Sequence, residues 1–257
     1  MIEVDNLTKT FKLSRQQRKK MNAATGIIKA VDNVNFQCQP GRIFSLLGPN
    51  GAGKTTTLRM IATILQPTGG NIKVGGYEVA SEGKQVRSKI GFLTGTTGLY
   101  DRLTPDEMVS YFGKLNNMEP AKLQKRKSEL FSMLDIKSFA SKKISELSSG
   151  MRQKVSIART MIHDPEVIVF DEPTSGLDVI TAESIINMIQ QCKKDHKTVI
   201  FSSHIMSEVD LLCDDLAIIH KGRILFNDQM DVFRKQMKTE SLTKDFIRLV
   251  EESEQAN

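Results

Sequence analysis

The chain has 257 residues, of which 39% are hydrophobic, and it carries a formal net charge of +6. This length and composition suffice for a packed core without disulfide or metal staples. Six cations and no acid lie within residues 12–29, whereas the 30 remaining cations are matched by 30 acids. Because a nucleic-acid-binding domain spreads its cations along one face, we expect no nucleic-acid partner.

The cysteines and the hydropathy bear on location. Cys38, Cys192 and Cys213 are widely spaced and odd in number, which predicts reduced, buried thiols in a cytosolic protein. No stretch approaches the roughly 18 apolar residues needed to span a bilayer, and the first residues lack the pattern of a signal peptide. We expect the chain itself to stay out of the membrane.

Short apolar runs recur along the chain with helical stretches between them. A run of this kind, 4 to 8 residues long, is typical of a strand buried on both faces of a parallel sheet. Between the third and fourth runs, residues 179–193 carry apolar side chains at helical intervals, as a crossover helix does. The pattern predicts a doubly wound α/β core, with strands at residues 43–47, 90–93, 167–170, 199–201 and 216–219.

Residues 97–160 interrupt this rhythm with helix signals. Thr104, Pro105 and Glu107 fit an N-cap, the first helical position and the third, so a helix is predicted there. Residues 121–134 predict another. We therefore expect a main domain over residues 1–229 with a helical subdomain inserted at about 97–160. Residues 230–257 are charged and amphipathic, and predict a short helical tail too small to be an independent domain.

Residues 48–55 match the phosphate-binding pattern G-x-x-x-x-G-K-[ST] and follow an apolar run. Glycines allow successive N–H groups to converge on phosphate oxygens, and a helix starting near Gly53 directs its positive end at them. Lys54 supplies a cation for the β- and γ-phosphates, and the Thr55 hydroxyl can bind Mg²⁺. A simple Gly-rich turn is the alternative. The predicted nucleotide-binding residues are Gly48, Pro49, Asn50, Gly51, Ala52, Gly53, Lys54, Thr55 and Thr56.

Two adjacent carboxylates, Asp171 and Glu172, follow the apolar run at 167–170. They lie past the carboxyl end of a strand, where ligands bind in open α/β sheets. Asp171 can hold Mg²⁺ through water, and Glu172 can accept a proton from the attacking water or orient it. An ordinary strand end is the alternative for this pair when it is considered alone.

Three further motifs, in the same order along the chain, complete a resemblance. Residues 147–151 read Leu-Ser-Ser-Gly-Met, residues 175–178 read Ser-Gly-Leu-Asp, and His204 follows the run at 199–201. With the phosphate loop and the carboxylate pair, they resemble the signature, D-loop and switch histidine of the ATP-binding-cassette (ABC) family over roughly residues 1–227. P-loop kinases and GTPases lack the signature and the histidine.

The resemblance implies a P-loop NTPase (RecA-like) fold with a mostly parallel sheet, an antiparallel β edge and the helical insertion. It also implies an ATPase that uses ATP and Mg²⁺, with Glu172 and His204 in the catalytic site. Ser148 and Gly150 would contact a γ-phosphate held by Lys54 of a second subunit. Asp178 would bridge the two. Taken alone, the motifs at 148 and 178 also fit helix caps, and His204 fits a structural histidine.

Partners and location follow from the same resemblance. It implies a head-to-tail dimer with a second copy or a homologous ATPase, and a separate integral membrane permease. The chain would lie at the cytoplasmic face of the membrane and resembles subunits for sodium efflux and drug export. The alternatives are a soluble ABC-type ATPase acting on the ribosome or DNA, or a small-molecule phosphotransferase.

One residue, Phe11, fits the family pattern, and two features depart from it. Phe11 occupies the position of an aromatic residue that stacks on adenine, with a core phenylalanine as the alternative. The basic stretch at 12–29 is unusual, and contact with acidic surfaces or lipid headgroups stands beside a solvated insertion. Thr96 occupies the position of a Mg²⁺-binding glutamine, so we expect no direct metal contact there.

Overall fold

A computed structural model describes residues 1–20, 26–94 and 98–255. Two short 3₁₀ turns lie at Lys137–Phe139 and Ile144–Glu146. In chain order the elements are β1 (Ile2–Lys12), α1 (Arg15–Lys20), β2 (Ile27–Cys38), β3 (Ile43–Leu47), α2 (Lys54–Ile61), β4 (Gly69–Val74), β5 (Tyr77–Glu78), α3 (Gly83–Lys89), β6 (Ile90–Leu93), α4 (Pro105–Leu115), α5 (Pro120–Met133), α6 (Ser149–Met161), β7 (Val167–Asp171), α7 (Val179–Lys194), β8 (Thr198–Ser203), α8 (Met206–Leu212), β9 (Asp215–His220), β10 (Arg223–Gln229), α9 (Met230–Gln236) and α10 (Leu242–Gln255).

The larger sheet has six strands in the order β10-β9-β3-β8-β7-β6. The strands β9, β3, β8, β7 and β6 are mutually parallel, and β10 pairs antiparallel with β9. Every residue of β3, β7 and β8 is buried, which explains their unbroken apolar sequences. The five predicted strands are confirmed. Their carboxyl ends share one edge, where the loops after β3, β7 and β8 meet.

The second sheet is antiparallel, with four strands in the order β2-β1-β4-β5. The long strand β1 lies between β2 and β4, with Ile2 opposite both Cys38 and Val74. Buried side chains of this sheet pack against Phe44 and Leu46 of β3 in one hydrophobic cluster. The predicted antiparallel edge is thus confirmed, and it covers one face of the parallel sheet.

The helices α4, α5 and α6, which follow β6 and precede β7 along the chain, pack against one another. Thr104 is the N-cap of α4: its side chain accepts from Glu107 N–H, and the Glu107 side chain accepts from Thr104 N–H. This reciprocal capping box confirms the predicted start. Leu123 and Leu130 of α5 are buried in the main core cluster, as the apolar spacing predicts. The subdomain limits of about 97 and 160 stay a prediction.

The segment after β10 forms two helices, α9 and α10. The Asp245 side chain is fully buried and accepts from the backbone N–H groups of Lys238 and Thr239 and from Arg248. Burial alone raises the pKa of Asp245, but these hydrogen bonds outweigh it and hold that pKa below its usual range. Phe246 and Leu249 pack against the core, so the tail is anchored.

The three cysteines are buried free thiols, as predicted. Burial raises the pKa of Cys192 and of Cys213 to about 12, so both stay protonated and unreactive at neutral pH. Within the described part of the chain, no helix combines the length and apolarity needed to cross a membrane.

Candidate active site

The phosphate loop joins the end of β3 to the start of α2 in a tightly packed turn. Gly51 and Gly53 have φ of 82° and 111°, which favour glycine. A Cβ atom at Gly48 would lie 2.3 Å from the Ile219 carbonyl oxygen, and one at Gly53 would lie 2.6 Å from that of Ala30. Side chains are excluded at both positions. The loop is therefore a backbone cradle of the kind that holds phosphate groups.

Lys54 is the cation of this cradle. Its side chain is only 4% exposed, and its Nζ donates to the carbonyl oxygens of Gly48 at 2.7 Å and Pro49 at 3.2 Å. The same Nζ lies 3.3 Å from Glu172 Oε1. Lys54 thus links the phosphate loop to the carboxylate pair after β7, as the sequence predicts for one site.

Asp171, at the end of β7, gathers hydroxyl groups from three elements. Thr55 Oγ1 donates to Asp171 Oδ1 at 3.0 Å, and Ser202 Oγ donates to the same oxygen at 2.8 Å. Thr94 Oγ1 lies 3.5 Å from the other carboxylate oxygen. The set consists of oxygen ligands, which Mg²⁺ prefers. The predicted metal ligands Thr55 and Asp171 are therefore brought together.

Glu172 follows directly but faces another direction because its backbone is left-handed, with φ of 50°. Its N–H is held by the Ser202 carbonyl oxygen at 3.2 Å and by Ser202 Oγ at 3.0 Å. Left-handed backbone in a residue with a side chain is unfavourable and clusters at functional sites. Besides the Lys54 contact, its Oε2 lies 3.3 Å from His204 Nδ1. The side chain is thus placed between two cationic or proton-carrying groups.

Hydrogen bonds fix the residues on either side of His204, which directly follows β8. Ser203 Oγ donates to Glu208 Oε2 at 3.1 Å and accepts from the Ile205 N–H at 3.0 Å. The His204 side chain itself is 42% exposed, and its Nδ1 faces the Glu172 carboxylate. His163 differs, because its Nε2 lies 3.1 Å from the Ile90 carbonyl oxygen and burial lowers its pKa, which fits a structural role.

Ser148, Gly150 and Asp178 meet at the start of α6 and α7. Ser148 Oγ accepts from Met151 N–H at 3.3 Å, and Asp178 accepts from both the N–H and the hydroxyl of Thr181, at 3.0 and 2.8 Å. The Thr181 hydrogen bonds hold the pKa of Asp178 below its usual range. A Cβ atom at Gly150 would lie 3.0 Å from Thr181 Oγ1. Both predicted caps exist, and Thr181 joins the two motifs.

A cleft of about 770 Å³ separates the phosphate-loop side from the start of α6. The cleft is lined by Asn50, Thr55 and both carboxylates, and also by Ser149, Gln153 and residues 175–177. Gln153 Nε2 donates to the Pro173 carbonyl oxygen at 2.7 Å, which fixes α6 to the segment after β7. The volume lies within the range of small-molecule sites. Ser149 and Gln153 were not among the predicted residues.

Phe11 lies outside this cluster. Phe11, on β1, is 37% exposed, so the alternative of a core phenylalanine is wrong. It lies opposite Ile28 of β2, two residues from Ala30, whose carbonyl oxygen contacts Gly53. Thr96 lies outside the described residues, and so does part of the basic stretch, of which α1 and both ends are described.

Comparison with known proteins decides the family. The family model described as ABC transporter matches residues 31–175, which is more than half of the chain. The chain belongs to the ABC transporter family. It is similar to the ABC transporter ATP-binding protein NatA of Bacillus subtilis, with 40% identity over 222 residues that cover 86% of this chain and 90% of NatA.

Solved structures of ABC proteins agree. One ATP-binding subunit of an ABC transporter superposes with a TM-score of 0.84 and 25% identity, covering 97% of this chain and 99% of that one. A dimeric ATP-binding cassette bound to ADP and Pi in a post-hydrolysis state gives 0.78 and 28%, covering 90% and 99%. The chain is an ATP-binding ABC subunit and an ATPase, with the predicted P-loop NTPase fold.

Ser202 and Thr94 are contacts of the ABC site that the sequence reading missed. Ser202 reaches Asp171 from β8, and Thr94 reaches it from the residue that directly follows β6. Ser202 is opposite Asp171 in the parallel register of β7 and β8, and it is a polar residue in a fully buried strand. A buried apolar strand that carries a serine two residues before a candidate histidine is a signal that could have identified Ser202.

Proposed function

We propose that this chain hydrolyses ATP with Mg²⁺ in a head-to-tail dimer and thereby drives export through a separate membrane permease at the cytoplasmic face. The second subunit is another copy or a homologous ATPase. The observation that carries this proposal is the position of Glu172, whose carboxylate oxygens lie 3.3 Å from Lys54 Nζ and 3.3 Å from His204 Nδ1.

Phosphate binding falls to the loop and to Lys54 in this proposal. The backbone N–H groups from Asn50 to Thr56 and the Lys54 ammonium would hold the β- and γ-phosphates, with Phe11 against the adenine. Thr55 and Asp171 would hold Mg²⁺, which neutralises phosphate charge when bound. The close approach of their oxygens, 3.0 Å, supports this assignment.

Glu172 and His204 would carry the proton chemistry. Glu172 orients a water molecule and takes its proton as the water oxygen forms a bond to the γ-phosphorus. The bond between that phosphorus and the β–γ bridging oxygen breaks, so that ADP and inorganic phosphate leave. His204, held by the Ser203 contacts on either side of it, donates a hydrogen bond to the γ-phosphate from the Glu172 side.

The dimer is supported by what faces outward. Val179 and Ile180, directly after Asp178, are 84% and 80% exposed, which is unusual for adjacent apolar residues. We propose that they lie against the second subunit, which presents Ser148 and Gly150 to the γ-phosphate held by Lys54. The dimeric relative bound to ADP and Pi supports this arrangement.

The direction of transport is supported by the names of relatives. These include a Nod factor export ATP-binding protein of Cupriavidus metallidurans, which is 35% identical. The bacitracin transport ATP-binding protein BcrA of Bacillus licheniformis, also 35% identical, supports transport without a direction. Identity to NatA is greater, at 40%. Sodium efflux is the export activity to test first, because the motifs of this chain resemble those of sodium-efflux subunits. We also propose the domain limits 1–229 and 230–257.

Co-purification tests the function. A tagged chain is isolated from detergent-solubilised membranes of its native cell, and the integral membrane protein retained with it is identified. The pair is then placed in inverted vesicles, where ATP should drive uptake of ²²Na⁺, with Glu172→Gln as the inactive control. Recovery with ribosomes or DNA instead, with no membrane protein retained, would support the alternative ATPase. If a membrane partner is retained but ATP drives no ²²Na⁺ uptake, the export proposal stands and sodium as the exported substrate is refuted.

A further inference from the structure

The turn between β9 and β10 forms one wall of the phosphate loop. Its two residues, Lys221 and Gly222, both have left-handed backbone, with φ of 46° and 81°. They join His220 and Arg223, which are opposite each other in the hairpin. The Gly222 N–H donates to the carbonyl oxygen of Ala52 at 2.9 Å. A hydrogen bond therefore connects this turn to the middle of the phosphate loop.

Close packing strengthens that connection. A Cβ atom at Gly222 would lie 2.9 Å from the Ala30 carbonyl oxygen, and one at Gly53 would lie 3.5 Å from the Gly222 Cα atom. No side chain fits between the turn, β2 and the phosphate loop. Because the turn and the phosphate loop are already in close contact, a displacement of the turn must displace the loop as well.

The end of α10 holds the turn from the outside. Glu254 Oε1 accepts from Lys221 Nζ at 2.6 Å and lies 3.2 Å from His220 Nε2. Two-residue hairpin turns with left-handed backbone favour Asn or Gly, because other side chains are crowded there. Lys221 adopts this unfavourable backbone conformation. The ion pair with Glu254 therefore acts on the residue of the turn whose conformation most needs support.

The body of α10 is fixed without this ion pair. Buried Asp245 accepts four hydrogen bonds, from Lys238, Thr239 and Arg248, and Arg248 joins it to Glu252 along the helix. The helix packs against α8 and β10. Glu254 thus projects from an anchored helix, so its carboxylate is a fixed point against which the turn is held.

We propose that Glu254 is a positioning residue for nucleotide binding. Through Lys221 and the hydrogen bond from Gly222 to Ala52, it keeps the phosphate loop in the geometry that binds ATP. The C-terminal helix thereby sets the affinity for nucleotide, although it contacts no phosphate. The inference rests on ATP binding at this loop and is independent of the exported substrate and of the permease.

The test compares Glu254→Lys with Glu251→Lys in the full chain. Glu251 is exposed on the same helix, so both variants change the charge equally. For Glu254→Lys, the Kd for a fluorescent ATP analogue should rise about two- to fivefold, as expected for loss of an exposed ion pair. For Glu251→Lys it should not change. The kcat at saturating ATP should be the same in both variants, because no reacting group moves.

Hydrogen exchange and a charge swap sharpen the test. Exchange at the amide of Gly222 should accelerate in Glu254→Lys alone, and adding Lys221→Glu should restore the wild-type Kd. Equal Kd values for Glu254→Lys and Glu251→Lys would overturn the proposal, as would a lower kcat with unchanged Kd or a charge swap that restores nothing. Failure of the wild type to bind the analogue would instead refute the nucleotide site itself.

Discussion

The two ends of the candidate site differ in how far one chain completes them. At the phosphate-loop end, buried Lys54 and Asp171 contact Glu172, Thr55 and Ser202 through side-chain bonds. At the other end, the side-chain hydrogen bonds of Ser148 and Asp178 run to the first turns of their own helices. One end is therefore built by a single chain, whereas the proposed dimer requires a second molecule to complete the other.

The largest effect on ATP binding is expected at the phosphate-loop end of the site. Lys54→Ala removes the buried cation of the phosphate cradle, so the Kd for ATP should rise on the order of 100-fold or more, as for loss of charged hydrogen bonds. Isothermal titration calorimetry measures this value. Lys84→Ala, at an exposed lysine on α3, removes the same charge and should bind ATP normally. An equal rise of the Kd in both variants would mean that the net charge of the protein, and not the position of Lys54, determines the affinity for ATP.

Glu172→Gln should separate binding from hydrolysis. The amide keeps the shape but cannot accept the proton, so phosphate release should slow by about 10²- to 10⁴-fold while ATP affinity stays near wild type. The variant should therefore accumulate as an ATP-bound dimer in size-exclusion chromatography. Glu240→Gln, at an exposed residue, is the control. A Glu172→Gln protein that remains monomeric at high concentration with ATP would count against the dimer.

Ser148→Ala tests the end of the site at the start of α6, which the proposed dimer completes with a second subunit. Loss of one hydrogen bond to a charged phosphate should weaken ATP-dependent dimerisation by roughly tenfold, while the ATP affinity of the monomer is unchanged. Ser148 is also a helix cap, and its loss should cost about 1 kcal/mol of the free energy of unfolding. Thr104→Ala removes the cap of α4 at similar cost, and it should dimerise like wild type. If both variants lose dimerisation equally, the effect is only on folding.

The smallest effect is expected at Asp178. Asn caps a helix as well as Asp does, so Asp178→Asn should leave the melting temperature unchanged at neutral pH, yet weaken dimerisation about two- to threefold if the charge faces a partner.

The pKa of Asp178 is lowered by its hydrogen bonds, so its stabilising contribution is complete above the unfolded pKa, near 3.8, and is lost as pH falls through the folded value. Below about pH 4 the melting temperature of the wild type should therefore fall relative to Asp178→Asn. Parallel melting curves from pH 7 to pH 3 would refute this account of the cap.

The sequence was most informative where structure is local. The strands at 43–47 and 90–93 were predicted to the residue because unbroken apolar runs mark strands buried on both faces. The start of α4 followed from its capping box. The conjunction of short motifs also predicted that Lys54, Asp171 and Glu172 share one site.

Long-range contacts were not predictable from one sequence. The antiparallel pairing of β1 with β4 joins segments more than 50 residues apart through alternating, half-exposed side chains, which give a weak local signal. The bond from Ser202 to Asp171 depends on the register of β7 and β8. The left-handed backbone at Glu172 and the contact between Glu254 and Lys221 likewise follow from packing, not from local propensity.

Complementation between two inactive variants tests the central claim most directly. Lys54→Ala and Ser148→Arg are purified separately, and phosphate release is measured for each and for an equal mixture. In a head-to-tail dimer, each mixed pair contains one site with wild-type Lys54 and wild-type Ser148, so the mixture should regain up to about a quarter of wild-type activity. A mixture no more active than the average of its two components would contradict the claim that two chains build each site.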